Sequence, residues 1–96
     1  MKEYKDVLFN NDTIAKKIKE ESDRQIMKWG IQIHTLFEWL TYTTEELGEL
    51  AEAISEYEYR NGNLDNIEKE AIQVATLATK IASIANFEKK ILKEVK

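Results

Sequence analysis

The residues of this chain that could carry out chemistry are acidic, and most of them lie in one segment. That segment holds five glutamates, Glu45, Glu46, Glu49, Glu52 and Glu56. At about 100° per residue on a helix, four of the five fall within about 60° of one another, and only Glu46 lies apart. Each like-charge pair four residues apart costs about 0.2 to 0.5 kcal/mol in an isolated helix, so helix stability does not explain the stripe. It is either a solvated face of an acidic protein or part of a cation site.

Two glutamates are expected to be partly removed from water. Glu46 follows Trp39 by one heptad, which places it on the margin of the apolar side of its helix. Farther along the chain, Glu70 falls at nearly the same azimuth as Val74 and Leu77, so it is expected to point into the core. An unpaired charge in that position costs several kcal/mol. Glu70 is therefore protonated, paired with a base such as a lysine, or bound to a cation.

Two pairs of oxygen ligands follow from these positions. Glu46-x-x-Glu49 and Glu70-x-x-Gln73 each place two side-chain oxygens one turn apart, and two helices packed side by side can then enclose a hard divalent cation. Mg²⁺ suits such a site because it prefers oxygen ligands, keeps several waters and bridges carboxylates to phosphate. A carboxylate di-iron site would require Glu-x-x-His on two helices, but the single histidine, His34, has no glutamate three residues before it. The spacing favours magnesium over iron.

Long helices must position these carboxylates, because the chain has no proline and only three glycines. Apolar residues at helical spacing predict three helices, over residues 11–28, 36–60 and 64–85, and a weaker helical tail from residue 87. Asp12 or Thr13 is expected to cap the first helix, which should stop at Gly30, and Asn63 is expected to cap the third. We predict an all-α, antiparallel bundle of three to four helices.

The third predicted helix carries a ridge of small side chains at spacings of three and four residues, consisting of Ala71, Ala75, Ala78, Ala82 and Ala85. Small residues in a row let a second helix approach closely, in the same chain or in another. A bundle of this size leaves much apolar surface uncovered as a monomer. We therefore expect a homo-oligomer.

Composition narrows the class of protein. Ninety-six residues form a single domain, and 14 basic against 18 acidic residues give a net charge of −4, which disfavours nucleic acid as a partner. The absence of cysteine removes disulfides, thiolate zinc sites and a cysteine nucleophile. No apolar run has the length of a membrane span, and residues 1–11 lack the apolar core of a signal peptide. We expect a cytoplasmic protein without a membrane partner.

Three segments resemble the MazG-like branch of the all-α nucleoside triphosphate pyrophosphohydrolases. They read KWGIQIH, EWLTYTTEELGELAEAI and IEKEAIQVATLATKIA, and the similarity covers roughly residues 23–85. The family's Glu-Glu-x-x-Glu motif maps onto Glu45, Glu46 and Glu49, and its Glu-x-x-Asp motif onto Glu70 and Gln73. The last position departs from the motif, since an amide offers one carbonyl oxygen in place of a carboxylate. In this it resembles a phage-type subgroup.

The resemblance implies hydrolysis of a nucleoside or deoxynucleoside triphosphate to the monophosphate and pyrophosphate, in nucleotide-pool clearance. It implies that Glu46, Glu49, Glu70 and Gln73 hold Mg²⁺, with Mn²⁺ as a substitute, and that the protein is a dimer or tetramer. Glu45 would then be the catalytic residue that orients or deprotonates the attacking water.

The substrate-binding residues expected around the base are Trp29, Gln32, His34 and Trp39, because an aromatic face with one amide can stack on a base and read it. Such aromatics are also common in cores, and a single histidine in a connection is often merely solvated. Lys80 is either a contact to phosphate or a surface lysine whose stem covers apolar neighbours.

A second interpretation comes from another class of function. The substitution at Gln73 favours a catalytically weak helical module that binds nucleotide or protein and has lost full metal binding. The core-facing Glu70 favours the enzyme.

Overall fold

The computed structural model describes Leu8 and residues 11–95, and the fold is that of this part of the chain. It consists of three α-helices, α1 (Asp12–Trp29), α2 (Leu36–Tyr59) and α3 (Leu64–Val95), and no described residue lies in a strand. The all-α prediction is confirmed, and the bundle has three helices because the predicted tail simply continues α3. None of the three combines the length and the apolar character that crossing a membrane requires.

The N-cap of α1 lies one residue earlier than predicted. Asn11, rather than Asp12 or Thr13, is the N-cap, and its side-chain oxygen accepts a hydrogen bond from the backbone N–H of Ile14 at 3.2 Å. Asp12 falls in the first turn instead, where its negative charge complements the helix dipole. The prediction was wrong because asparagine and aspartate are equally good caps and stand side by side here.

The predicted end of α1 at Gly30 is confirmed. Gly30 has a φ of +75°, a conformation that glycine adopts without strain, and its N–H donates to the carbonyl of Ile26 at 2.7 Å. The chain then reaches α2 through residues 31–35.

A capping box fixes the start of α2. The hydroxyl oxygen of Thr35 accepts from the backbone N–H of Glu38 at 3.1 Å, and the Glu38 carboxylate accepts from the backbone N–H of Thr35 at 2.8 Å. The cap of α3 is the predicted one, with the Asn63 side chain accepting from the N–H of Asn66 at 2.9 Å. These caps set the register in which α2 and α3 meet.

Side-chain contacts give the direction of each helix. Trp39 lies near Lys80 and Glu46 near Gln73, so α2 runs antiparallel to α3. An ion pair joins Lys17 of α1 to Glu68, and Lys80 bonds to Gln25 of α1, so α1 runs parallel to α3. Both α1 and α2 pack against α3, while no Cα of α1 comes within 8 Å of a Cα of α2. The helices therefore alternate up, down and up, and α3 is the central one.

The buried core is small. Among the described residues, only Trp39, Ala53, Thr76 and Leu77 are less than 9% exposed. Thr76 satisfies its hydroxyl by donating to the carbonyl of Ile72 at 2.7 Å. The fully buried residues are thus one aromatic side chain, one leucine and two small side chains, spread along α2 and α3.

One side of the α2–α3 pair is apolar and open. We call it the open face, and it consists of Leu36, Leu40, Leu47 and Ile54 of α2 with Ala78, Ala82 and Ala85 of α3, all of them exposed. When each helix is viewed from its own N-terminus, these residues lie about 60° to 140° around the helix axis from the side that packs on the other helix, and the direction of rotation is the same for both helices. For antiparallel neighbours this rotation leads to one common side, which is turned away from α1. A packed layer of α2 and α3 therefore presents uncovered apolar side chains.

The turn before α3 depends on Gly62. A Cβ at this position would lie 2.8 Å from the carbonyl carbon of Glu56 and 2.8 Å from the nitrogen of Tyr57, and the Gly62 N–H donates to the Glu56 carbonyl at 2.8 Å. A side chain would force this backbone apart. The turn at Gly62 fixes where α3 begins relative to α2.

We expect Gly62→Ala to lower the free energy of unfolding by about 1 to 3 kcal/mol, as other overpacking changes do. Gly48→Ala is the matched control, because a Cβ at Gly48 meets nothing within 4 Å, and alanine in a helix interior is favoured by about 0.5 to 1 kcal/mol. Thermal unfolding followed by circular dichroism measures both. Equal changes in melting temperature for the two variants would contradict the role given to the turn.

Candidate metal centre and adjoining cavity

The antiparallel contact of α2 and α3 brings three carboxylates together. Glu46, Glu49 and Glu70 each offer an oxygen, and these three oxygens lie within 4.8 Å of one another. Glu46 and Glu70 are half-buried at the helix contact, and Glu49 is exposed. We call these residues the triad. It joins the two helices at the place where the spacing of the sequence predicts a cation site.

Gln73 lies against the triad with its amide nitrogen facing the carboxylates. In the orientation that satisfies the hydrogen-bond network, its nitrogen donates to a Glu46 oxygen at 2.7 Å and to a Glu70 oxygen at 3.1 Å. The amide therefore supplies positive partial charge between two acidic side chains. To act as a ligand through its oxygen, as its place in the motif implies, the amide group would have to turn over.

The crowding of the triad changes the protonation of Glu46. Burial raises its pKa to about 7, and the charge of Glu49 and the contacts with Glu49 and Glu70 act in the same direction. No lysine, arginine or histidine of the described chain lies within 4.0 Å of these carboxylates. The alternative of an ion pair between Glu70 and a lysine is thus not found there, and the triad retains negative charge that a cation could neutralise.

We expect the protein without added metal to lose stability as the pH rises. Glu46 has a pKa near its usual 4.5 in the unfolded chain and about 7 when folded, so the folded state binds the proton more tightly and is favoured at low pH. The free energy of unfolding should fall by about 1 to 3 kcal/mol between pH 4.5 and pH 8. Chemical denaturation in buffer with a chelator measures this.

Glu46→Gln should remove most of that dependence, because glutamine keeps the volume and cannot ionise. Glu58→Gln, at an exposed position on the same helix, should leave it unchanged. A wild-type protein whose stability stays level or rises between pH 4.5 and pH 8, with Glu46→Gln behaving in the same way, would contradict the account of the triad.

The remaining glutamates of α2 stay outside the triad. Glu45 and Glu52 are exposed, and Glu56 is half-buried and forms an ion pair with Arg60 at 3.3 Å. Glu45 directly precedes Glu46 in the chain and makes no described hydrogen bond or ion pair, so its carboxylate is available to solvent beside the triad.

A cavity of about 730 Å³ lies between α1, the connection that follows α1, and α3, and Trp39 of α2 also lines it. Four of the five expected substrate-binding residues line it, namely Gln32, His34, Trp39 and Lys80. Trp29 does not. Its ring is half-exposed, with the Lys28 ammonium 4.7 Å and the Arg24 guanidinium 5.8 Å from its centre. The structure thus groups four of these residues and leaves Trp29 on the surface of α1.

His34 is held in an aromatic cluster at the edge of the cavity. Its ring centre lies 4.8 Å from that of Trp39 and 5.1 Å from that of Tyr42, both in edge-to-face geometry, and its Nδ1 is 4.0 Å from a Glu38 oxygen. Sequence reasoning missed Tyr42, although its position three residues after Trp39 is a usable signal. The histidine is therefore part of the packing that positions Trp39, and not a freely solvated side chain.

Lys80 reaches from α3 toward α1. Its ammonium donates to the Gln25 side-chain oxygen at 2.7 Å and sits 5.3 Å from the centre of the Trp39 ring. Burial lowers the pKa of Lys80, and the charge of Glu21 opposes that change in part. Gln25 in turn donates to Glu21 at 2.9 Å. Sequence reasoning missed Gln25, since nothing local shows that α1 docks here.

The triad and the cavity lie at different levels along the same two helices, α2 and α3. Gln73 beside the triad and Lys80 in the cavity are seven residues apart on α3, which is about 10 Å along the helix axis. Trp39 and Glu46 have the same separation on α2.

Comparison with known proteins finds no matching family model, no matching curated protein and no matching solved structure.

Proposed function

We propose that this protein is a Mg²⁺-dependent pyrophosphohydrolase of the MazG-like kind, which converts nucleoside or deoxynucleoside triphosphates to monophosphates and pyrophosphate. The observation that carries the proposal is the meeting of Glu46, Glu49 and Glu70 from two helices, with their oxygens within 4.8 Å and no basic side chain of the described residues paired with them. Under this proposal the protein clears nucleotides from the cellular pool.

The residues of the triad fit Mg²⁺ by their chemistry. They are hard oxygen donors, and an exposed member, Glu49, leaves room for the waters and phosphate oxygens that Mg²⁺ keeps. Mn²⁺ accepts the same donors and is expected to substitute. The raised pKa of Glu46 agrees with such a site, because carboxylates crowded enough to hold one cation share protons when none is bound.

Water is the nucleophile of the proposed reaction. A water oxygen forms a bond to the α-phosphorus, the bond from that phosphorus to the bridging oxygen breaks, and pyrophosphate leaves. Glu45, exposed beside the triad, orients the water and accepts its proton. Glu46, Glu49 and Glu70 would hold the Mg²⁺, which would supply charge neutralisation at the phosphate oxygens and a lowered pKa of water.

The cavity supports a nucleotide rather than a simple phosphate ester as the substrate. It has the size of a small-molecule site, and its lining includes Trp39, which is 5% exposed, and the apolar side chains Ile18, Ile26 and Ile84. Lys80 in the cavity is about 15 Å along α3 from Glu70 of the triad, which leaves space for a sugar and the phosphates between the two. The open face supports the further part of the proposal, that the protein is a dimer or a tetramer.

A second candidate function rests on Gln73. Its amide donates to Glu46 and Glu70, and so satisfies part of the charge that a cation would otherwise satisfy. A helical module that binds nucleotide without rapid turnover would show this arrangement. Metal dependence of the rate separates the two candidates.

We expect Gln73→Asp to lower the Mg²⁺ concentration needed for half-maximal rate, by about threefold or more, because ligand charge is a main determinant of affinity for hard cations. The added charge also increases repulsion in the triad without metal, and the attraction to a dication at contact distance should exceed it. Titration of the initial rate with Mg²⁺ measures the effect.

Ser55→Asp is the matched control for that titration, since it adds the same charge at an exposed position on α2. If Gln73→Asp needs more Mg²⁺ than the wild type, or is inactive at every concentration, then Gln73 acts by donating hydrogen bonds to Glu46 and Glu70 and not in place of an aspartate ligand.

The proposal is tested by incubating the protein with a panel of nucleoside and deoxynucleoside triphosphates. Triphosphate should be consumed with Mg²⁺ or Mn²⁺ and persist with a chelator. Consumption at equal rates in the chelator would contradict a metal-dependent site, and a panel left intact under all conditions would favour the binding module.

A further inference from the structure

A partly buried ammonium group in an apolar cavity requires acceptors, and Lys80 has only one among the described residues. The Gln25 oxygen takes one of its three N–H groups at 2.7 Å, and the Trp39 ring lies 5.3 Å from the nitrogen. The hydroxyls of Thr79 and Ser83 donate to carbonyls of their own helix, each at 2.8 Å, and no hydrogen bond from Lys80 to either of them is found among the described residues. The remaining N–H groups are free for a molecule in the cavity.

The geometry also holds the lysine in place. Gln25 accepts from Lys80 through its oxygen and donates to Glu21 through its nitrogen at 2.9 Å, which fixes the orientation of the amide. Glu21 is itself held by two hydrogen bonds from Arg24, at 2.9 Å and 2.7 Å. A chain of contacts across α1 therefore presents the ammonium group at one position on the cavity wall.

We propose that this cavity takes the base of the nucleotide, and that Lys80 recognises a carbonyl oxygen of that base. A lysine offers donors and no acceptor, so the ligand group facing it must be an acceptor. Apolar side chains, Ile18, Ile26 and Ile84, line the same space as Trp39, which suits a flat ring. Thymine, uracil, cytosine and guanine carry such an oxygen, and adenine does not.

This inference rests on the proposed function and deepens it, because it names the part of the substrate that is read and assigns Lys80 to the base and not to phosphate. The position of Lys80 agrees with this assignment. It is about 15 Å along α3 from Glu70, the triad residue of that helix, at the end of the site where the phosphates are not expected.

The test uses nucleosides, which have no phosphate, and needs no metal. Binding of thymidine and deoxyadenosine is followed by fluorescence of Trp39 in the full chain carrying Trp29→Phe, since Trp29 does not line the cavity. We expect thymidine to quench the fluorescence at saturation and to bind about tenfold more tightly than deoxyadenosine, the effect of one hydrogen bond to a charged group.

Lys80→Met keeps an unbranched side chain that is one atom shorter and removes the donors. We expect it to weaken thymidine binding about tenfold and to leave deoxyadenosine binding nearly unchanged, while Lys80→Arg retains the preference for thymidine. Lys93→Met, at an exposed position on the same helix, should change neither. Equal affinity for the two nucleosides, no binding of either, or undiminished thymidine binding by Lys80→Met would overturn the inference.

The outcome is separable from that of the proposed function. Glu70→Gln should still bind thymidine, because the triad does not line the cavity. Selective nucleoside binding without hydrolysis of any triphosphate would support the cavity assignment and contradict the enzyme. Hydrolysis with the same preference among bases in the wild type and in Lys80→Met would support the enzyme and overturn the cavity assignment.

Discussion

Glu70→Gln is expected to reduce kcat/KM for triphosphate hydrolysis by at least about 100-fold, the scale seen when one charged group that stabilises a transition state is removed. Glutamine has nearly the same volume as glutamate, so the change removes a metal ligand's charge and little else. Glu49→Gln is expected to have the same effect from the other helix. Initial rates at saturating Mg²⁺ measure both.

The same variants should keep their fold. Neutralising one of several carboxylates that repel one another stabilises the folded protein. The melting temperature of Glu70→Gln without metal should therefore stay level or rise. Glu52→Gln is the control, since Glu52 belongs to the acidic stripe of α2 but is exposed outside the triad. Unchanged rates for Glu70→Gln would contradict the assignment of the triad as the metal site. A large decrease in melting temperature would indicate that Glu70 stabilises the fold.

The second large effect concerns assembly, for which we expect at least a dimer formed through the open face. Leu40 and Leu47 are 51% and 53% exposed there, beside the alanines of α3, and soluble monomers rarely leave a continuous apolar surface of this kind uncovered. Light scattering coupled to gel filtration should give at least twice the 11.2 kDa of one chain. A stable particle of 11.2 kDa at micromolar concentration would contradict the expectation.

Ala78→Glu should convert the assembly to monomers. In the oligomer the change places a charge within a close contact between helices, whereas in the monomer Ala78 faces water and the charge is tolerated. Met27→Glu, an equally polar change at an 88% exposed position on α1, should leave the assembly intact. If both variants elute with the wild type, the open face is not the interface.

The fold could be predicted from the sequence where the signals are local. Gly30 and Asn63 mark helix ends through their own conformational and capping preferences, and both act as expected. The cap of α1 was misplaced by one residue because Asn11 and Asp12 have the same capacity. The triad could be located because Glu46, Glu49 and Glu70 lie at fixed spacings on two long helices.

The cavity could not be predicted, because it depends on where α1 docks. The ion pair of Lys17 with Glu68 and the hydrogen bond of Gln25 with Lys80 join residues more than 50 positions apart. Neither contact leaves a pattern in the local sequence. The alanine ridge illustrates the same limit, since its spacing predicts a partner helix, while the exposure of Ala78, Ala82 and Ala85 shows that α1 and α2 do not cover this part of it.

The central claim is that the triad supports attack of water at the α-phosphorus of a nucleoside triphosphate. The most direct measurement is the identity of the products after incubation of a consumed triphosphate with the protein and Mg²⁺, separated by ion exchange. We predict nucleoside monophosphate and pyrophosphate in equal amounts, with both formed at least about 100-fold more slowly by Glu70→Gln. Nucleoside diphosphate with inorganic phosphate as the initial products, or monophosphate and pyrophosphate formed equally fast by Glu70→Gln, would contradict it.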